Sequence, residues 1–289
     1  MRILILGGDG MLGHELLQHL APRHDVRVTL RRALGAYAKF NLFTSANADG
    51  NVDARSFDRV AAVVGKFRPD AVINTIGIVK QRPEALDAIA SIEINSLLPH
   101  RLALLCGGQG GQLIHISTDC VFSGRAGNYR ESDPTDAEDL YGRSKLLGEI
   151  DHPRCVTLRT SFIGRELSRK VGLLEWFLAQ KGTVPGFRRA IFSGFTTLEM
   201  TRIIERIVTR FPQASGVYHV SSAPISKHDL LALIKARLRL DTEIRPDDAL
   251  RCNRSLDSAR FRRDFEYSPP TWEGMIQELA DEHEAGASK

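Results

Sequence analysis

The chain has 289 residues, of which 43% are hydrophobic and 26% are charged. This is enough apolar sequence to bury a sizeable core, which excludes an intrinsically disordered chain and a small disulfide-stapled scaffold. Lys plus Arg number 39 against 35 Asp plus Glu, and so small an excess argues against a nucleic-acid-binding protein. The four cysteines have neither a C-x-x-C pair nor metal-ligand spacing, so we expect no disulfide framework and no metal site.

Hydropathy along the chain indicates neither a secretion signal nor a membrane span. The opening MRILILGG has an apolar run of only four residues before its glycines, far shorter than a signal-peptide core. No stretch approaches the ~20 apolar residues that cross a bilayer. We therefore expect a soluble, cytoplasmic protein.

The first half of the chain alternates short β-branched apolar runs with longer segments of helical period, which is typical of parallel βαβ units. We predict strands at Ile3–Leu6, Val26–Leu30, Ala71–Thr75, Leu113–Ser117 and Val156–Leu158. Between them we predict helices at Met11–Leu20, Phe57–Phe67, Ile92–Cys106 and Tyr141–Ile150. Crossovers of this length build a doubly wound parallel sheet, so the predicted fold class is α/β with a Rossmann sheet.

Beyond about residue 165 the pattern loosens. We predict only a helix at Met200–Val208, a strand at Gly216–Val220 and a helix at His228–Leu238. This change indicates a smaller C-terminal lobe packed beside the sheet. We expect 1–165 to form the nucleotide-binding Rossmann domain, with 193–220 returning to it, and 166–192 and 221–289 to form a substrate-binding lobe.

A glycine-rich loop directly follows the first predicted strand and opens the first helix. Gly7, Gly10 and Gly13 have G-x-x-G-x-x-G spacing, which lets the backbone turn tightly and approach a pyrophosphate. The first helical residues, Met11 and Leu12, would offer free N–H groups and the positive helix end to that anion. An ordinary tight turn is the alternative, but the position between strand and helix favours a dinucleotide site.

The second predicted strand ends in Arg31-Arg32, where NAD-binding chains usually carry an acid that hydrogen-bonds the ribose 2′-hydroxyl. A guanidinium pairs with a 2′-phosphate and stacks on the adenine, whereas an acid repels that phosphate. The pair therefore favours NADPH over NADH. The alternative is a solvated basic loop.

Tyr141 and Lys145 are four residues apart at the start of a predicted helix, so both lie on one face. A nearby ammonium lowers the pKa of a tyrosine, and such a pair exchanges a proton during hydride transfer. The pattern alone is common by chance, but here it follows the nucleotide loop and Ser117-Thr118-Asp119. A hydroxyl at the carboxyl end of a central strand faces the ligand crevice, so we expect Thr118 to bind the reacting carbonyl oxygen. Ser117 and Asp119 remain alternatives.

Several motifs in the sequence resemble those of a known family. STDCVFSG at 117–124 resembles the S-T-D-Y-V-F-x-G of the dTDP-4-dehydrorhamnose reductase group, within the extended short-chain dehydrogenases/reductases. YGRSKLLGE at 141–149 is similar to that group's Y-G-x-[ST]-K-x-x-G-E. LRTS at 158–161, GVYHV at 216–220 and RSLD at 254–257 are similar as well, so the resemblance covers nearly the whole chain.

The resemblance implies NADPH-dependent reduction of a keto group on a nucleotide-activated deoxysugar, with Tyr141 as proton donor. It implies a catalytic triad of Thr118, Tyr141 and Lys145, in which Tyr141 and Lys145 also contact the cofactor, the lysine at its ribose. It further implies cofactor contacts to the adenine and ribose from Asp53, Ala54, Asn74, Thr75, Ile76 and Gly77.

The chain departs from that group at two places. Cys120 stands where the group usually has tyrosine, which we interpret as a packing change. The string D-Q-x-G-x-P-T, which helps to form the group's sugar pocket, is absent, and 184–197 reads VPGFRRAIFSGFTT instead. The identity of the sugar therefore cannot be carried over.

A sugar-nucleotide diphosphate needs cations, and the second half of the chain supplies candidates. As substrate contacts we predict Lys80, with its neighbour Gln81, Phe187, Arg188 and Arg254. Exposed arginines are common, and a surface ion pair is the alternative for each of them. His115 and His219 alternate within apolar strands, so we interpret them as hydrogen-bonded core histidines rather than catalysts.

Two other functions remain open on the sequence. A sugar-nucleotide epimerase or dehydratase uses the same fold with a tightly held NAD, against which Arg31-Arg32 argue. A non-catalytic NADP-binding regulatory subunit would act by binding another protein, against which the complete triad argues. A homodimer is possible in each case.

Overall fold

The computed structural model describes residues 1–80, 86–168 and 170–287. Its strands are β1 (Arg2–Leu6), β2 (Asp25–Thr29), β3 (Ala48–Asp49), β4 (Ala71–Asn74), β5 (Gln112–Ile116), β6 (Cys155–Arg159), β7 (Phe162–Ile163), β8 (Thr183–Phe187), β9 (Ala190–Phe192), β10 (Phe195–Thr196), β11 (Gly216–His219), β12 (Ile225–Ser226), β13 (Glu243–Asp247) and β14 (Cys252–Asn253). Its α-helices are α1 (Met11–Leu20), α2 (Phe57–Phe67), α3 (Ala88–Ser91), α4 (Leu98–Gln109), α5 (Leu140–Leu147), α6 (Leu173–Leu178), α7 (Thr197–Arg210), α8 (Lys227–Leu238), α9 (Ala259–Asp264) and α10 (Trp272–Ala287). None of the helices described is long and apolar enough to cross a membrane.

Seven strands form one parallel sheet in the order β11-β6-β5-β4-β1-β2-β3. The chain enters at β1, winds outward through β2 and β3, and then crosses back to β4 to wind out the other way. That reversal places a crevice at the carboxyl ends of β1 and β4, where doubly wound sheets bind their ligands. The α/β Rossmann fold predicted from the sequence is confirmed.

The sheet is covered on both faces, which explains why its strands are continuously apolar. On one face α1 and α7 bury side chains such as Leu16 and Ile203 against the strands. On the other face α2 and α4 contribute Val64 and Leu102. The carboxyl edge of the sheet is thereby held rigidly between two helical layers.

Three of the described helices differ clearly in length from the sequence prediction, among them α7, which we predict at Met200–Val208 and which spans Thr197–Arg210. The helix predicted at Ile92–Cys106 starts earlier, at Ala88, because the Asp87 carboxylate accepts hydrogen bonds from two first-turn N–H groups. It passes through a π-helical stretch at Ile92–Leu97 into α4. The helix predicted at Tyr141–Ile150 ends earlier, at Leu147, and begins with an Asp139 cap.

The C-terminal part of the chain contains several very short strands. β7 pairs with β10, β8 with β13, and β9 with both β12 and β14. Most of these strands have only two or three residues, too few to show a period in the sequence. β11 lies in the main sheet and α7 packs on the α1 face. The exact domain limits stay a prediction.

Candidate active site

The glycine loop makes a close turn between β1 and α1. Gly7 has φ +88°, a conformation that side chains strongly disfavour. A Cβ on Gly13 would lie 2.1 Å from the Gly7 carbonyl oxygen, so α1 packs directly on the loop. Gly10 precedes the helix without a side-chain cap, which leaves the N–H groups of Met11 and Leu12 for a ligand. This is the anion-binding arrangement that the spacing predicts.

A cleft of about 870 Å³, open solvent included, lies beside this loop at the carboxyl edge of the sheet. Its lining contains eight of the residues that we predicted to bind the cofactor: Gly7, Gly10, Arg31, Asp53, Ala54, Thr75, Ile76 and Gly77. The other predicted cofactor contacts lie outside that lining. They are Met11, Leu12 and Gly13 in the first turn of α1, Arg32, Asn74, and the helix residues Tyr141 and Lys145.

One wall of the cleft carries a group of three charged side chains, of which we predicted Arg31 and Asp53. Arg55 Nη2 donates to Asp53 Oδ2 at 2.6 Å, and Arg31 Nε lies 3.6 Å from the same oxygen. The Arg55 hydrogen bond outweighs the opposing effect of burial and, with the Arg31 charge, holds the pKa of Asp53 at about 2. We did not predict Arg55, although it stands only two residues after Asp53.

Arg32 differs from its neighbour Arg31. Both side chains are exposed, but that of Arg32 lies outside the cleft lining, and the Arg32 backbone is held by two hydrogen bonds. The Arg32 N–H donates to Tyr37 Oη at 3.3 Å, and its carbonyl accepts from the Asn51 N–H at 2.9 Å. Tyr37 in turn donates to Asp9 of the glycine loop at 3.2 Å. The basic turn is thus anchored to the loop, with Arg31 as the cation that reaches the cleft.

Thr118 and Lys145 are both buried at the carboxyl end of β5, with Tyr141 beside them on α5. Thr118 caps a short 3-10 turn, and its hydroxyl oxygen accepts from the Cys120 N–H at 3.1 Å. Lys145 Nζ donates to the Ile116 carbonyl at 2.6 Å. The predicted triad residues are therefore gathered at one end of one strand.

The electrostatics of Tyr141 differ from our expectation. Burial is the largest effect and raises the pKa of Tyr141 above 10, and Cys120 raises it further. The Thr118 hydroxyl lowers that pKa, but not enough to compensate. We expected Lys145 to lower it, whereas the amine of Lys145 is bound to the Ile116 carbonyl. In this structure Tyr141 is consequently a protonated phenol at neutral pH, which suits a proton donor.

Cys120, which replaces the tyrosine of the related group, lies beside the triad. Burial raises the pKa of its thiol to about 12, and the Asp119 carboxylate adds to that effect. The thiol is therefore protonated and not a nucleophile at neutral pH. It acts electrostatically on Tyr141, at the edge of the site, and its interpretation as a packing change stays a prediction.

Two of the predicted substrate cations lie at the mouth of this site. Lys80 Nζ donates to Asp139 Oδ2 at 2.7 Å, and the other oxygen of Asp139 caps α5 two residues before Tyr141. Arg254 is half-buried, donates to the Phe122 carbonyl at 2.8 Å and acts electrostatically on Asp119 and Asp139. Gln81 lies outside the described residues.

The other two predicted substrate contacts are placed differently. Phe187 ends β8, and Arg188 follows it in the sheet that β8 forms with β13. Arg188 forms an exposed ion pair with Asp248. Neither residue lines the cleft or contacts the triad among the described contacts. For Arg188 the surface ion pair is the arrangement that the structure shows.

The chain is similar in sequence to proteins of one known family. The sequence profile of the RmlD substrate binding domain matches residues 1–181. The dTDP-4-dehydrorhamnose reductase of Salmonella typhimurium is 26% identical over 307 residues, covering 98% of each chain. The spore coat polysaccharide biosynthesis protein SpsK of Bacillus subtilis is 27% identical over 303 residues, covering 97% of each.

Among solved structures, the Bacillus anthracis dTDP-4-dehydrorhamnose reductase in complex with NADP superposes with a TM-score of 0.80. It is 19% identical, and the match covers 97% of this chain and 99% of that one. The fold is therefore shared over the whole length. With the profile match over more than half of its residues, the chain belongs to the RmlD substrate-binding-domain family.

Proposed function

We propose that the protein reduces a keto group on a nucleotide-activated deoxysugar with NADPH, as its dTDP-4-dehydrorhamnose reductase relatives are named to do. One observation carries this proposal. The glycine loop after β1 and the buried Thr118 after β5 lie at the same edge of the sheet, with only β4 between those strands. A cofactor bound along that edge spans from the loop to the triad.

The residues present fit the cofactor. The close turn at Gly7, the free amides opening α1 and the two cleft arginines together suit a dinucleotide with an extra phosphate. We assign the pyrophosphate to the loop and the 2′-phosphate to Arg31 and Arg55, with Arg32 close by. Asp53 and Ala54 would contact the adenine and 75–77 the ribose, whereas Asn74, also predicted there, is fully buried beneath the cleft.

The proposed chemistry assigns a separate role to each triad residue. Bound NADPH supplies a hydride to the carbonyl carbon of the sugar. The Thr118 hydroxyl orients the carbonyl oxygen, and the Tyr141 phenol gives its proton to that oxygen as charge develops on it. Lys145 binds the cofactor ribose and fixes the nicotinamide side of the site.

For the substrate we propose that Arg254 and Lys80 bind the diphosphate. Both cations act on Asp139, the cap of the helix that carries Tyr141, so the phosphates would lie beside the reacting centre. Phe187 and Arg188 stay predictions, since β8 brings them to no contact with the triad. The sugar, its nucleotide and the stereochemistry of reduction are questions for substrate assays.

The test is a panel of 4-keto-6-deoxy sugars linked to dTDP, UDP or GDP, with NADPH oxidation followed by absorbance. We expect turnover with at least one of them, and loss of most of that turnover in a Tyr141→Phe variant. Tightly bound NAD in the purified protein, with no net NADPH oxidation, would instead indicate an epimerase or dehydratase. No turnover together with a co-purifying partner protein would indicate a regulatory subunit.

We also propose a homodimer, supported by apolar side chains exposed on α3, on α4 and on the end of α5 packed against them. These include Ile89, 72% exposed, Leu104, 69%, and Leu147, 64%. Light scattering should give a dimer mass for the wild type and a monomer for Leu104→Lys. Leu250→Lys, at an exposed leucine outside these helices, is the matched control and should leave the dimer intact.

The limits of the domains and the location of the protein are proposals too. We keep 1–165 with 193–220 as the NADP-binding domain, and 166–192 with 221–289 as the substrate-binding lobe. A cytoplasmic location is supported by the four free cysteines, which suit a reducing compartment.

A further inference from the structure

A line of three buried polar side chains runs beneath the candidate active site and joins β4, β5 and α5. The Asn74 Nδ2 lies 3.1 Å from His115 Nδ1, and His115 Nε2 lies 3.4 Å from Lys145 Nζ. Asn74 and His115 are fully buried, and Lys145 is 4% exposed. His115 therefore contacts a triad residue directly, although the proposed mechanism gives it no role.

The hydrogen-bond partners decide which nitrogen of His115 carries the proton. Asn74 Oδ1 accepts from the Ile76 N–H at 3.2 Å, which fixes the amide so that its NH₂ group faces His115. The His115 Nδ1 must then accept that N–H. A neutral imidazole with an acceptor at Nδ1 carries its proton at Nε2. The Nε2–H consequently faces the amine of Lys145.

This arrangement favours a neutral amine over an ammonium. A neutral Lys145 donates one N–H to the Ile116 carbonyl, at 2.6 Å, and accepts the His115 N–H with its lone pair. An ammonium has no lone pair, so one of its N–H groups would be opposed by the His115 N–H. We propose that Asn74 and His115 are positioning residues that favour the neutral form of Lys145.

The surrounding charges agree with this proposal. Burial lowers the pKa of Lys145 to about 8, against the raising effect of Glu149, which lies just beyond the end of α5. Burial, with the charge of Lys145 and that of His100 from α4, lowers the pKa of His115 well below 6.5. His115 is thus a neutral imidazole at physiological pH, as the hydrogen bonds require.

The effect of His115 on catalysis rests on the proposed function. Reduction adds a hydride to the carbonyl carbon and leaves the phenolate of Tyr141 once its proton has moved to the sugar oxygen. Protonated Lys145 returns a proton to that phenolate and becomes a neutral amine, which a solvent proton later restores. His115 stabilises the amine that this step produces, so it makes Lys145 a better proton donor.

The first measurement uses the unaltered protein labelled with ¹⁵N-histidine. The His115 resonances, assigned by their loss in His115→Phe, should show a protonated Nε2 and an unprotonated Nδ1 across neutral pH. A proton on Nδ1 would overturn the proposal. Because this readout needs neither substrate nor turnover, it is independent of the proposed function, and the spectrum can also be assigned by other methods if the variant fails to fold.

The second measurement follows Lys145 with ¹³Cε-lysine, assigned by its loss in Lys145→Met. We expect a midpoint near 8 in the wild type and a rise of about one pH unit in His115→Phe, the size of one lost hydrogen bond. His100→Gln, which alters only the more distant histidine, should leave the midpoint in place. An unchanged midpoint in folded His115→Phe would refute the positioning role.

If the chain is a reductase, the pH limit of kcat should move with that midpoint. The decline of kcat at high pH should shift upward in His115→Phe, and kcat near neutral pH should fall with little change in KM. Loss of turnover on the whole substrate panel, with both spectroscopic results as expected, would count against the proposed function alone.

Discussion

Arg55 binds Asp53 on the wall of the nucleotide cleft, its Nη2 2.6 Å from Oδ2. Arg31 reaches the same carboxylate from the end of β2, at 3.6 Å. Two guanidinium groups thus share one anion and retain further N–H donors. The wall carries a surplus of positive charge and free donors, which is what a ribose 2′-phosphate needs.

Removing these arginines should separate NADPH from NADH binding. We expect Arg31→Ala and Arg55→Ala each to weaken NADPH binding about tenfold or more, because a charge-assisted hydrogen bond contributes about 1.5 to 3 kcal/mol. NADH binding should change little, and Arg32→Ala should have a smaller effect. Fluorescence titration of both cofactors measures this, with the exposed Arg263→Ala as control. Equal loss of both cofactors would show that the arginines contact a part that the two share.

The close approach of Gly13 to Gly7 predicts a sharp difference between two glycine substitutions. A Cβ at Gly13 would lie 2.1 Å from a backbone oxygen, whereas a Cβ at Gly65, inside α2, meets nothing within 4 Å. Gly13→Ala should abolish NADPH binding by displacing the loop. Gly65→Ala should keep binding and add up to about 1 kcal/mol of stability. NADPH titration and urea unfolding test both, and retained binding by Gly13→Ala would contradict the packing described.

The Glu149–Arg159 ion pair is buried next to the site, with Arg159 Nη2 2.7 Å from Glu149 Oε2. Arg159→Met leaves a buried carboxylate unpaired, and we expect it to cost about 3 to 5 kcal/mol of unfolding free energy. Arg125→Met breaks the exposed pair with Glu138 and should cost about 1 kcal/mol or less. Urea denaturation measures the free energy of unfolding of both variants. Similar losses in the two would refute the difference between the buried and the exposed ion pair.

His19 links α1 to α10 and should make stability depend on pH. Hydrogen bonds to Glu15 and Glu282 raise the pKa of His19 from 6.5 to about 9 in the folded protein. The folded state therefore holds this proton more tightly than the unfolded chain. The resulting stability is fully present below pH ~6.5 and is lost as pH rises through ~9.

Thermal unfolding of His19→Gln across this range is the check. The Tm of the variant should lie below that of the wild type at pH 6, and the difference should vanish above about pH 9. A difference that is constant with pH would mean that His19 acts through packing alone.

Local sequence patterns were sufficient to predict the central sheet and the nucleotide loop. β1, α1 and α2 are each specified by their own period and boundary residues, so they could be predicted from the sequence. Arg55 could not, because its place depends on β3, a two-residue strand that exists only through its pairing with β2. Most of the strands beyond residue 160 that lie outside the main sheet are similarly short, with two or three residues each.

The electrostatics of the triad were harder to predict than its position. Residue order placed Thr118, Tyr141 and Lys145 together, but the direction of the pKa shift at Tyr141 depends on burial, which a linear pattern does not contain. The contact of His115 with Lys145 is likewise invisible in the sequence, where a histidine in an apolar strand indicates only a core residue.

In the proposed reaction, Tyr141 donates the proton in an NADPH-dependent reduction. The most direct measurement compares NADPH oxidation by the wild type and Tyr141→Phe, using the nucleotide sugar that the panel identifies. We predict that kcat falls about 100- to 10,000-fold, the usual contribution of a general acid, while NADPH affinity stays unchanged. Turnover by Tyr141→Phe at the wild-type rate would contradict the account.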